Sequence, residues 1–147
     1  AVHEPGNFKV PFGMNQAELI EAAGGYKVDP EKIISGGPMM GFSMFTVDVP
    51  VTKTSSSILC FTKDEVAQYE PTACINCGRC VEVCPSRLIP SRLADYAEHH
   101  DEEAFTKHEG LECMECGSCS YVCPAKRQLK QAIGSMRKTA LANRKKK

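Results

Sequence analysis

Cys74-Ile75-Asn76-Cys77-Gly78-Arg79-Cys80-Val81-Glu82-Val83-Cys84-Pro85 returns 39 residues later, without a gap, as Cys113-Met114-Glu115-Cys116-Gly117-Ser118-Cys119-Ser120-Tyr121-Val122-Cys123-Pro124. Both copies read C-x2-C-x2-C-x3-C-P. A disulfide framework has no reason to repeat such a ladder. Structural zinc uses separated C-x2-C knuckles rather than three cysteines in seven residues. Three thiolates at three-residue intervals let one looping segment grip three irons of a cubane, with Gly78 and Gly117 where the backbone must turn closely. In this signature the fourth cysteine, ahead of Pro, ligates the other cluster. The spacing therefore predicts one [4Fe–4S] cluster on Cys74, Cys77, Cys80 and Cys123, and a second on Cys113, Cys116, Cys119 and Cys84. Such thiolates imply a reducing, cytosolic compartment. No histidine replaces a cysteine, so a Rieske centre is excluded.

Outward from the blocks, the second half of the chain predicts helices. Leu93, Tyr96 and Ala97 share one helical face, with Pro90 in the first turn. Asp101 is placed to cap a further helix rich in early acids, with Gly110 as its stop. Leu129, Ile133, Met136 and Ala140 form one apolar stripe on a basic helix. The 39-residue repeat implies two like half-sites about a pseudo-twofold axis.

Residues 1–70 have a different pattern. Phe8–Gly13 predicts a short strand and turn. Ala17–Ala23 predicts a brief helix with Asn15 as cap, Glu18 three places on, and Gly24-Gly25 as stop. Ile33-Ile34, the alternating Val47, Val49 and Val51, and Ser57–Thr62 predict further strands. Together they make a compact α+β fold with a mixed sheet and one small helix. Gly36-Gly37-Pro38-Met39-Met40-Gly41 matches no phosphate-loop pattern and predicts a tight turn against neighbouring backbone. Cys60, outside both blocks, predicts a buried small hydrophobe, and His99-His100-Asp101 a solvated helix end.

The composition is globular: 147 residues, of which 42% are hydrophobic and 24% charged. The longest central apolar run, Ile58–Phe61, is far short of a membrane span. No basic-then-apolar leader opens the chain, and the start at Ala1 suggests a piece of a longer protein. The net charge is zero, yet residues 1–73 hold five Lys and nine Asp/Glu, while residues 74–147 hold 13 Lys/Arg and nine Asp/Glu. That asymmetry favours two modules with different partners. The basic tail Arg144–Lys147 reads as a frayed end; if functional it would suit an anionic membrane surface or an acidic partner, and without interleaved aromatics it gives no nucleic-acid signal. Arg79, Lys126 and Arg127, close to the ligands, would favour the reduced, more negative clusters.

The Gly36–Gly41 turn, Asp48-Val49-Pro50-Val51-Thr52-Lys53-Thr54 and Cys113–Lys126 together resemble the C subunit of the Rnf electron transport complex. The likeness covers essentially the whole chain, but only the C-terminal third or so of that family's polypeptide. It implies an α+β architecture with a soluble-ligand-binding β-grasp (SLBB) domain over residues 1–70 and an α-helical dicluster ferredoxin domain over 71–147. It further implies a peripheral subunit on the cytoplasmic side of the membrane, exchanging electrons with ferredoxin or a flavin partner and with other members of the complex. FMN and NADH would bind upstream of this segment, leaving it the electron-carrying part of an ion-translocating oxidoreductase. Two rival readings are a cobalamin-reducing flavoprotein subunit of similar layout and a binding module whose clusters only brace the fold.

Overall fold

The computed structural model describes residues 1–145; Lys146 and Lys147 of the basic tail lie outside the described residues. The chain divides into two compact units, Ala1–Gln68 and Tyr69–Lys147.

In the first unit, α1 (Gln16–Ala22) begins where expected, since the Asn15 side chain accepts from the Ala17 N–H at 2.9 Å. Such a cap contributes about 1 kcal/mol. Three short strands follow: β1 (Lys32–Ser35), β2 (Phe42–Met44) and β3 (Ile58–Phe61), in the order β2-β1-β3. Ile33 pairs with Met44 on one side and Cys60 on the other, and both ladders are antiparallel. The expected mixed sheet is thus corrected to a purely antiparallel one. The turn between β1 and β2 is as tight as the glycines suggest. Gly36 has φ +96°, and a Cβ on Gly41 would stand 2.6 Å from the Ser35 carbonyl. Ile20, Ala23, Ile34 and Val51 form the small buried core.

Two predicted strands do not form. Residues 8–11 carry no ladder, and Pro11 would remove a donor from one. The Val47–Val51 alternation is interrupted by Pro50, which cannot donate within a sheet. What forms is a local clasp beside α1: the Gly13 N–H donates to the Val51 carbonyl at 2.8 Å, and Val51 N–H to the Met14 carbonyl at 2.7 Å. Cys60 is only partly buried. Burial still raises its thiol pKa, with the N-terminal ammonium opposing.

Lys32 Nζ sits 2.9 and 3.0 Å from the two carboxylate oxygens of Asp64. That hydrogen bond is the main reason the Asp64 pKa lies below its ordinary value, and the Ala67 N–H acts in the same direction. A carboxyl whose folded pKa is depressed stabilises the fold above its unfolded pKa, near about 3.9, and loses that contribution as pH falls through the folded value. The pair lies near the surface, so the effect is about 0.2–1 kcal/mol. Acid unfolding of wild type and Asp64→Asn should therefore differ at neutral pH and converge as pH falls below the unfolded carboxylate value of about 3.9 and through the lower folded one. A constant gap across that range would contradict the assignment.

The second unit is helical among its described residues. One-turn helices α2 (Arg79–Glu82) and α5 (Ser118–Tyr121) follow the cysteine loops, and α3 (Pro90–Glu98) and α6 (Leu129–Arg144) stand at the same 39-residue offset. Between them lies α4 (Glu102–Lys107), whose first turn is capped by Asp101 accepting from the Ala104 N–H at 2.9 Å. It closes at His108 rather than at Gly110, which instead opens a 3-10 turn. His108 stacks on Tyr96 at 5.1 Å between ring centres, which secures that end. His99 and His100 are exposed at the end of α3, as expected. The predicted stripe of α6 is buried, and Leu129 and Ile133 join Leu93, Ala94 and Phe105 in one core. Among the described residues no helix is long and apolar enough to cross a membrane.

Candidate iron–sulfur site

The two cysteine loops adopt the same backbone, residue for residue. Asn76 and Glu115 have φ of 54° and 55°, Gly78 and Gly117 78° and 84°, and Arg87 and Lys126 52° and 54°. Glycine is needed at the second of these positions, because it is the left-handed cap from which α2 or α5 starts. Left-handed backbone turns N–H groups inward. The Glu115 N–H donates to Cys113 Sγ at 3.4 Å, and the Leu88 N–H to Cys84 Sγ at 3.3 Å.

The side chains gather in crossed sets. One cavity of about 220 Å³ is lined by Cys74, Cys77 and Cys80 of the first block together with Cys123 of the second. The other is lined by Cys113, Cys116 and Cys119 with Cys84 of the first block. The packing of α3 against α6 brings each Cys-Pro end to the opposite loop, and Cys80, Cys84, Cys113, Cys119 and Cys123 abut the shared core. Among the described residues all nine cysteines are free, and no three His, Cys, Asp or Glu converge closely enough to hold a single metal ion.

The sets differ in surroundings. Cys74 and Cys77 are exposed, whereas all four thiols of the second set are partly buried. Burial raises the Cys113 pKa, and it pushes Cys119 up to about 11. Cys116 is lowered, first by its hydrogen bond with the Ser118 hydroxyl. Both sets offer the four soft donors that an iron–sulfur cluster takes. The first has room between them. The second encloses only about 20 Å³, so filling it requires side chains to give way.

The expected basic surroundings are modified. Arg79 and Arg127 line the first cavity. However, Arg127 is bound to Asp95 at 2.8 Å and Glu98 at 2.9 Å, so its charge is already met. Those carboxylates hold it protonated, more than offsetting burial. Lys126 lies 4.4 Å from the centre of the Tyr69 ring. The sequence reading missed a clamp on the second loop. Arg137 of α6 donates to the Leu111 carbonyl at 3.0 Å and pairs with Glu115 at 3.3 Å. Gly134 leaves room for Glu115, whose carboxylate would stand 3.0 Å from an added Cβ. The visible signal was an acid, Glu115, standing where the first block has the neutral Asn76.

Two crossed C-x2-C-x2-C-x3-C-P loops in a helical shell define a dicluster ferredoxin, and residues 73–127 match the family of the 4Fe-4S dicluster domain. Residues 1–43 match the SLBB domain. Along 146 residues the chain is 42% identical to the C subunit of the Na(+)-translocating ferredoxin:NAD(+) oxidoreductase complex of Acetobacterium woodii, covering 99% of this chain and 33% of that protein. It is 47% identical over 94 residues to the C subunit of the proton-translocating ferredoxin:NAD(+) oxidoreductase complex of Clostridium ljungdahlii, covering 64% and 21%. The C subunit of the ion-translocating oxidoreductase complex of Methanosarcina acetivorans is 44% identical over 98 residues, covering 67% and 22%. The chain is a homologue of these C subunits and spans a third or less of their length.

Proposed function

We propose that this chain is the electron-relay segment of an ion-translocating ferredoxin:NAD oxidoreductase, with an SLBB-like domain to about residue 70 and a dicluster ferredoxin domain from there on. Cys74, Cys77, Cys80 and Cys123 hold one [4Fe–4S] cluster, and Cys113, Cys116, Cys119 and Cys84 the other. The observation that carries this reading is the crossed lining of the two cavities by these two sets. When bound, the cluster pair supplies one-electron transfer, tuned by cluster charge, hydrogen bonds to sulfur and solvent exposure. The chain's own contribution is positional. The N–H groups of Glu115 and Leu88 hold sulfur, Arg137 fixes the second loop, and the α3–α6 core keeps the two sites together. FMN and NADH bind in the upstream part of the longer polypeptide. The working location is the cytoplasmic face of the membrane, as a peripheral member of the complex beside its other subunits, with ferredoxin or a flavin as redox partner.

Anaerobic reconstitution should load about eight irons and eight sulfides per chain, and reduction should produce low-temperature EPR signals of two interacting clusters. Tight uptake of zinc with no iron retained would overturn the proposal.

A further inference from the structure

Sulfurs of the second set already meet polar partners that the first set lacks. The Glu115 and Leu88 N–H groups reach Cys113 and Cys84, and the Ser118 hydroxyl stands 3.5 Å from Cys116 Sγ. In the first set, the hydrogen bond found at a sulfur among the described residues joins Cys74 to the Asn76 amide oxygen at 3.7 Å. The place of Ser118 is taken there by Arg79, which is exposed, whereas Ser118 is partly buried. Ser118 opens α5 directly after the left-handed Gly117, so the backbone that starts this helix also fixes the hydroxyl beside the loop.

As a free thiol, Cys116 is the donor in this bond. A metal-ligating sulfur is a thiolate with no hydrogen to give, and a hydroxyl can turn to donate instead. The same contact holds the Cys116 pKa below its ordinary value, so the anionic sulfur is the form it favours. Such a bond strengthens as negative charge on the acceptor grows, and more so where burial keeps water away.

From this we infer that Ser118 is a positioning residue for the second cluster: its hydroxyl donates to Cys116 Sγ, favours the reduced, more negative state, and so raises the potential of that site. No bond forms or breaks and Ser118 keeps its proton; the electron comes from the one-electron partner of the relay. This role rests on the electron-relay reading, which puts a cluster on Cys116.

The test is an anaerobic redox titration of the reconstituted full chain, followed by low-temperature EPR once iron and sulfide counts confirm loading. Ser118→Ala should lower the potential of the second cluster, cutting its reduced-to-oxidised ratio at a fixed potential by about threefold to tenfold. Tenfold corresponds to about 59 mV for one electron. Ser118→Thr should keep the wild-type value, and Ser118→Val, the same shape without a donor, should shift like Ser118→Ala. That matched pair keeps the test decisive if Ser118→Ala loads poorly. Added to Cys77→Ala, which leaves the second cluster, Ser118→Ala should reproduce the shift; added to Cys119→Ala, which leaves the first, it should not. Loaded Ser118→Ala protein with unmoved potentials, Thr and Val variants that coincide, or a shift confined to the first cluster would each overturn the role of Ser118 and leave the relay reading standing. Wild-type chain that retains no iron would overturn both.

Discussion

Replacing Cys123 with Ala should remove the same cluster as replacing Cys77, although Cys123 belongs to the other sequence block. Each single variant should retain about four irons, and the Cys77→Ala/Cys123→Ala double variant should retain about four as well, because both changes fall on one site. Cys119→Ala combined with Cys123→Ala should lose nearly all iron, since it strikes both sites. The expectation rests on the cavity linings, which place Cys123 with Cys74, Cys77 and Cys80, and Cys84 with Cys113, Cys116 and Cys119. Iron and sulfide assays read the counts. The EPR spectrum of Cys123→Ala should then match that of Cys77→Ala and differ from that of Cys119→Ala. If Cys123→Ala instead matched Cys119→Ala, ligation would run within each block and the crossed assignment would be wrong.

Phe105→Ala should be the most damaging core change in the second unit. Phe105 is fully buried on α4, and its ring fills the space beside Gly110 so closely that a Cβ on Gly110 would lie 2.5 Å from the ring edge. Truncating such a ring costs about 3–5 kcal/mol. Against a domain stability of about 5–15 kcal/mol that is a large fraction. The same core supports Cys80, Cys84, Cys113, Cys119 and Cys123, so local opening would expose both sites. Cluster binding couples to folding, and loss of a cluster is irreversible in air, so the effect is best read as a rate. In urea under anaerobic conditions, the visible absorbance of Phe105→Ala should bleach at least about tenfold faster than wild type. Gly110→Ala should bleach faster too, by overpacking worth about 1–3 kcal/mol. Unchanged bleaching in both variants would show that this core does not guard the clusters.

Much of the second unit was legible because local signals there agree with one another. The helix starts at Pro90 and Asp101 and the stripe Leu129, Ile133, Met136 and Ala140 appear as read. The first unit was less legible. Val47, Val49 and Val51 alternate like a strand but sit around Pro50, and the hydrogen bonds of this segment go to the turn before α1 instead of to the sheet. Whether an alternating run becomes a strand depends on a neighbour offering a matching ladder, and sequence periodicity contains no record of that neighbour.

The ligand spacing, the paired blocks and the glycines at their turns were determined by the sequence alone, because these features act over a few bonds and leave a fixed pattern of residue types. Only the tertiary structure decided that Arg127 spends its charge on Asp95 and Glu98, that Arg137 clamps Glu115, and that one thiol set lies open while the other is enclosed. Those properties arise between residues some twenty to thirty positions apart, where the packing of α3 against α6, rather than any local preference, sets the distances.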